Sequence, residues 1–234
     1  IKGAMYVPKG IKIFWGDTLA KVRTSKDVFS QPRILITLPT LAQIIGAESI
    51  TIPNLKGVDP VKLIDIAHEF VKANRGLQEF LDEMSRRDPN AIKTSEELEK
   101  LYDLVLKANQ AGDGRLVELL KNAISISSLE GKCDYVIGNP PWVRIHDVAE
   151  HIRNFLRNNY KYYSDKNSIY DPKFKKTKTP FGKQHDYSMA FVERGLEFLR
   201  ENGTLSYIIT SKIIKSMYAG ALREDLVTKY EILE

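Results

Sequence analysis

Asn139, Pro140, Pro141 and Trp142 are the residues of this chain best suited to chemistry. Each proline fixes its own φ angle and drives the residue before it toward an extended shape, so the turn is stiff. It presents the Asn139 side-chain amide and the Pro140 carbonyl as acceptors, because Pro140 has no N–H to donate, and it sets an aromatic face beside them. Two fixed acceptors suit an aromatic exocyclic amine. They can take both of its protons, favour a pyramidal nitrogen and leave the lone pair free to attack an electrophile held in line, which is catalysis by positioning. Trp142 can stack on the ring that carries the amine.

The elements on either side must position this turn. Cys133-Asp134-Tyr135-Val136-Ile137-Gly138 has a short apolar core closed by Gly-Asn-Pro, which predicts a buried strand with the turn at its carboxyl end. Ligands of open α/β sheets bind outside that end. His185-Asp186-Tyr187 opens a helix with Phe191, Val192, Leu196, Phe198 and Leu199 on its buried side and Asn202-Gly203 as its stop. Asp186 is there a helix N-terminal acid favoured by the dipole. Leu205 to Thr210 predicts an apolar strand fit for a sheet centre, and Ser211 to Leu226 a loop and helix.

Lys132 to Trp142 resembles the catalytic motif of S-adenosylmethionine-dependent amino-methyltransferases, above all the adenine-N6 DNA methyltransferases. The wider context resembles the methylase part of type IIG restriction-modification enzymes. That context is the Lys-x-x-Asp-Tyr-x-x-x-Phe-x-Glu-Arg helix at Lys183 to Arg194, the strand opening Gly-x-Leu-x-Tyr-Ile at Gly203 to Ile209, and Leu222-Arg223. The resemblance covers residues 131–234 well and residues 11–20 weakly. It implies an α/β protein with a Rossmann-like doubly wound methyltransferase sheet, truncated, with an inserted helical segment. It implies S-adenosylmethionine as cofactor, duplex DNA as partner, a restriction system in the cytoplasm, and extrusion of the target adenine at a cost of a few kcal/mol. Asn139 and Pro140 would hold the amine, Pro141 stiffen the turn and Trp142 stack on the base. Asp17, Asn139 and Asp186 would face the cofactor. Asn rather than Ser at the first motif position favours adenine. Cytosine N4, an RNA base and a protein glutamine stand as other amine substrates, and a non-catalytic DNA-binding module as a reading of a different class.

Residues 11–19 read as a strand delivering Gly16 and Asp17 to a loop, which is either a cofactor-side strand end or an ordinary turn. The family's glycine-rich cofactor loop does not fit into residues 1–10, and the chain opens on Ile1. It is therefore expected to be a piece of a longer protein, with a cofactor-binding half upstream and a target-recognition region downstream. Three parts follow: residues 1–58 as partial methyltransferase sheet, 59–130 as a helical insertion, and 131–234 as the catalytic part. Residues 21–58 lack clear period and read as short strands or irregular connections. Asp59-Pro60 starts a helix whose stripe runs from Val61 to Met84 and stops at Arg86 to Asn90. Thr94 with Glu97 reads as a capping box for a second helix, and Leu116 to Ile124 supplies a third. The stripes are core seams, or a bundle for protein interaction.

After the turn, Arg144 and His146 either touch a phosphate or are solvated, and Val148 to Tyr160 reads as a helix. Residues 160–183 interleave Lys161, Lys166, Lys173, Lys175, Lys176, Lys178 and Lys183 with Tyr160, Tyr162, Tyr163, Tyr170, Phe174 and Phe181. This is a long loop whose cations suit phosphates and whose aromatics suit unpaired bases, or else a solvated lysine-rich loop. Net charge of +5 permits nucleic-acid binding without demanding it. The single cysteine, Cys133, excludes an internal disulfide and fits a reducing compartment, and scattered histidines speak against a metal site. Glu130-Gly131-Lys132 lacks the Pro-Asp partner of a nuclease site. No apolar run is long enough to span a membrane.

Overall fold

A computed structural model of the chain describes residues 18–25, 33–39, 41, 49–112, 115–164, 170–171, 176–177 and 185–233. These form a mixed α/β structure with two apolar cores. In the first, strands β1 (Lys21–Ser25), β2 (Arg33–Thr37) and β3 (Ser49–Pro53) form an antiparallel meander with β2 central. Lys21 lies opposite Thr37, and Arg33 opposite Pro53. Pro53 stands on an edge strand, where the lost N–H costs no ladder bond. Ile50 and Ile52 alternate inward from β3, as a half-buried strand requires.

Four helices pack with that sheet: α1 (Pro60–Lys72), α2 (Leu77–Arg87), α3 (Ser95–Gln110) and α4 (Arg115–Ser127), with α3 and α4 against the strands and α1 and α2 on those helices. Leu63, Ile64, Phe80, Leu101, Val105, Leu116 and Leu120 meet Ile36, Ile50 and Ile52 in one core. Asp59 caps α1 as expected, accepting from Val61 N at 2.9 Å and Lys62 N at 3.2 Å.

Two expectations for this region change. The stripe from Val61 to Met84 is broken after Ala73, where Asn74 adopts φ 52° and Gly76 starts a new helix. Arg75 secures the break: its N–H donates to Phe70 O at 3.0 Å, its guanidinium lies 3.9 Å over the Phe70 ring, and Tyr102 Oη donates to its carbonyl at 2.5 Å. The Thr94–Glu97 capping box does not form. Thr94 Oγ1 donates back to Ala91 O, and Glu97 instead pairs with Arg33 of β2 at 2.7 Å. Tertiary charge pairing outweighs the local cap.

The second core belongs to a parallel pair, β4 (Cys133–Gly138) and β7 (Leu199–Tyr207), with α5 (Glu150–Asn159) and α6 (Ser188–Phe198). The short α7 (Lys212–Lys215) and α8 (Gly220–Lys229) follow β7. A two-residue ladder, β5 (Tyr170–Asp171) with β6 (Lys176–Thr177), stands apart. α6 packs so closely on β7 that a Cβ at Gly195 would meet Tyr207 Oη at 2.7 Å and Leu205 Cδ1 at 2.8 Å. Only glycine permits that approach.

β4 and β7 depart from the expected buried strands. Tyr135 is 72% and Ile137 79% exposed, so one face of the pair carries apolar side chains without cover. The α6 helix also ends at Phe198, earlier than the Asn202-Gly203 stop expected. Asn202, at φ 62°, instead lies within the span of β7, between the Cys133–Leu199 and Tyr135–Thr204 pairs, where the ladder shifts register. Asparagine tolerates that left-handed conformation.

The two cores meet at residues 18–21. Leu19 is buried in the second core and Ala20 in the first. No helix among the described residues is long and apolar enough to cross a membrane.

Candidate active site

β4 ends at Gly138, and the chain stays tied to β7 beyond the ladder, with Ile208 N donating to Gly138 O at 3.1 Å. A Cβ at Gly138 would come 3.0 Å from the Tyr207 ring, so the missing side chain lets β7 close against the turn. Pro140 is buried, while Asn139 and Pro141 are exposed. One ring seats the turn and the asparagine faces outward. Trp142 is 60% exposed, yet its indole is held at one edge, where Nε1 donates to Ile208 O at 3.2 Å. A ring anchored this way keeps surface for a ligand instead of losing it to the core.

The backbone leaving the turn is stitched to the entrance of α6. Ile145 N donates to His185 O and Tyr187 N to Val143 O, both at 2.9 Å, around an antiparallel bridge between Arg144 and Asp186. Asp186 is thereby brought beside the motif. Its buried carboxylate starts the helix, Oδ1 accepting from Ser188 N at 3.0 Å and from Ser188 Oγ at 2.6 Å. Its carbonyl accepts from Tyr163 Oη at 2.6 Å, and that oxygen accepts in turn from Ala190 N at 3.2 Å. Burial drives the Tyr163 hydroxyl well above the ordinary tyrosine range, so it remains a donor. His185 is buried with its ring 5.8 Å from that of Tyr163 and 5.3 Å from that of Tyr218.

Arg144 and His146 are exposed just past the turn, with His146 Nε2 3.3 Å from Asp147 Oδ1. The structure therefore gathers Asn139, Pro140, Pro141, Trp142, Arg144, His146 and Asp186 at the carboxyl end of β4. Asp17, Lys173, Lys175, Lys178 and Lys183 lie outside the described residues, and Lys176 is described only as backbone in β6. Among the described residues no group of His, Cys, Asp or Glu is arranged to hold a metal ion. Cys133 is half-buried, and burial, with the Asp134 charge beside it, raises its thiol above the usual range and favours the protonated form.

Tyr160, Tyr162 and Tyr163 do not present rings for stacking on bases. All three are buried in the second core, and Lys161 between them pairs with Asp225. Interleaving with lysine disguised a turn that packs three aromatics inward.

The residues that sequence reasoning missed form a charged cluster near the end of α6 and the start of β4. Arg194 is buried, its Nη1 donating to Glu130 Oε1 at 2.6 Å and Glu197 Oε2 at 2.7 Å, and its Nε to Thr18 O at 3.2 Å. Lys21 pairs with Glu197 and lies 4.2 Å over the Tyr160 ring, whose hydroxyl donates to Leu19 O at 2.7 Å. The available sign was that Arg194 falls on the apolar stripe of its helix with Phe191 and Phe198. Arg223, part of the Leu-Arg pair that carries the resemblance, takes a task the sequence did not reveal: its Nη1 donates to Ile213 O at 2.8 Å and Ser216 O at 2.6 Å, fixing the loop after β7.

The family described as Eco57I restriction-modification methylase matches residues 61–234, a span that contains nearly all of the four helices as well as the β4 turn. Type II methyltransferase M.PaeR7I of Pseudomonas aeruginosa is 28% identical over 107 residues, covering 46% of this chain and 16% of its own length. Type II methyltransferase M.BstVI of Geobacillus stearothermophilus is 28% identical over 101 residues, covering 43% of this chain and 15% of its own length. The match thus spans about a sixth of these curated relatives. No solved structure matches the chain. A family match over most of its length, together with an Asn-Pro-Pro-Trp turn at the end of a parallel strand, makes this chain a member of the Eco57I restriction-modification methylase family.

Proposed function

We propose that the full-length protein methylates the N6 amine of adenine in duplex DNA, as the modification activity of a restriction system. One observation carries this reading: Asn139 is exposed at the carboxyl end of β4 beside a Trp142 ring that is exposed but fixed by its indole N–H. The corner offers acceptors, namely the Asn139 amide oxygen and the turn carbonyls, with the buried Asp186 carboxylate beside them. Acceptors suit an amine substrate, and they suit the amine and cationic sulfonium of S-adenosylmethionine. When bound, that cofactor supplies an electrophilic methyl group. Asn139 and Asp186 are the described residues that would face it, with Asp17, much earlier in the sequence, as the third.

In this reading the Asn139 side-chain oxygen and the Pro140 carbonyl accept the two amine protons and hold the nitrogen lone pair toward the electrophile. Trp142 stacks on the extruded base. No strong base is needed, because the nitrogen becomes cationic during attack and loses its proton afterwards. Arg144, His146 and the lysines from Lys173 to Lys183 contact DNA phosphates. Residues 131–234 carry catalysis, residues 59–130 are a helical insertion, and the β4–β7 pair is part of a doubly wound sheet completed by the rest of the protein.

The test uses full-length protein, tritiated S-adenosylmethionine and unmodified duplex DNA, digested to nucleosides after reaction. Label in N6-methyl-2′-deoxyadenosine supports the proposal. Label on cytosine, or only on added RNA or protein, overturns the adenine assignment.

A further inference from the structure

The loop between β7 and α8 leaves the same end of the sheet as the Asn139 turn, and its composition differs from the rest of the second core. Residues 202–223 contain no Asp or Glu but do contain Lys212, Lys215 and Arg223. Several other cations of this core have carboxylate partners, Lys161 and Lys229 with Asp225 and Arg194 with Glu130 and Glu197. Lys212 and Lys215 are exposed, and no carboxylate among the described residues engages either ammonium. Between and beside them Ile214 is 69% and Met217 64% exposed.

This exposure is built, not a loose end. Ile213, Ala219 and Leu222 are buried on the inner side, and the Arg223 guanidinium holds the carbonyls of Ile213 and Ser216. The clamp turns Ile213 inward and leaves Lys212, Ile214, Lys215 and Met217 outward. The loop continues from Ile208, whose carbonyl anchors the Trp142 indole, so it begins at the edge of the candidate base-binding corner.

We infer that residues 211–217 are a DNA-binding element, in which Lys212 and Lys215 contact backbone phosphates beside the target base and Ile214 and Met217 press on the duplex bases next to it. The inference rests on the proposed action on duplex DNA and adds to it a surface outside the catalytic turn. Its charge complementarity selects DNA as occupant: two exposed lysines that no described carboxylate engages, bracketing an apolar side chain with no acid in the segment, match a polyanion whose interior is apolar. Apolar side chains inserted at base steps support an unstacked duplex, which is the state that extrusion of a base requires.

Two variants of the full-length protein test this, each checked first for unchanged thermal unfolding. Lys212→Gln with Lys215→Gln should weaken binding to unmodified duplex about tenfold and lower the slope of log affinity against log salt by about 2, one counterion release per lost phosphate contact. Ile214→Ser with Met217→Ser should keep that salt slope but slow methylation about tenfold. Placing a mismatch opposite the mapped target adenine, which lowers the extrusion cost, should restore the rate. An unchanged affinity and slope in the lysine variant overturns the inference. So does an apolar variant whose rate the mismatch does not rescue, or one whose altered unfolding shows that another segment of the protein covers the patch. Wild-type protein that binds duplex yet labels no base would sink the proposed reaction alone, because the salt slopes still decide the lysine contacts.

Discussion

Asn139 faces solvent while its neighbour Pro140 is buried, so the amide is presented by a seated turn and makes little contribution to the core. Asn139→Ala is therefore expected to leave the unfolding midpoint and DNA affinity near wild type while turnover falls on the order of a hundredfold, the scale of losing one positioned polar partner. Turnover equal to wild type would remove Asn139 from the mechanism. Trp142 separates two contributions, since its ring is exposed and its N–H is held by Ile208 O. Trp142→Ala should lose about 1–3 kcal/mol of base stacking, read as weaker DNA binding, whereas Trp142→Phe should retain most of it. At this scale the sequence was most informative, because a turn with two prolines is a local signal. The burial of Tyr160, Tyr162 and Tyr163 was hidden, because adjacent lysines imitate a solvated loop and the groups that bury these rings lie on α6 and at Leu19.

Elements were legible where a cap or a turn spoke for itself, as at Asp59-Pro60, and illegible where a stripe ran through a break, as at Asn74 to Gly76. α6 must approach β7 closely, and that approach is testable. Gly195→Ala puts a Cβ within 2.7 Å of Tyr207 Oη, so it should cost about 1–3 kcal/mol of stability in urea unfolding. Tyr207→Phe, which removes that oxygen, should recover part of the loss. A second element-level device lies at the end of α2. Asp88 is buried between loop and helix, accepting from Lys56 N at 2.9 Å and Asn90 N at 3.0 Å. The Lys56 N–H, more than the Asn90 N–H, holds its carboxyl below the ordinary aspartate range. A pKa lowered in the folded state gives stability that is complete above the unfolded value and lost as pH falls through the folded one. Asp88→Asn should thus destabilise the protein at pH 7 and much less at pH 3, as followed by thermal unfolding at the two pH values.

Across the whole molecule, the cluster of Arg194, Glu130, Glu197 and Lys21 joins the end of α4, the face of α6 and the start of β1. None of this could be read from spacing, because the partners come from distant parts of the chain. Removing the arginine alone strands two carboxylates that are each about one-third exposed, so Arg194→Met should cost about 2–3 kcal/mol, toward the low end for breaking a buried pair. Denaturant unfolding followed by tryptophan fluorescence and by circular dichroism would measure it. The junction at Leu19 and Ala20 has a further consequence. Adjacent residues are sealed into different cores, with Tyr160 holding the carbonyl between them. The chain there has no slack with which one core could open while the other stayed shut. Amide protons of residues 19–21 should consequently exchange with solvent only when the entire protein unfolds, making this core-to-core crossover one of its slowest clocks.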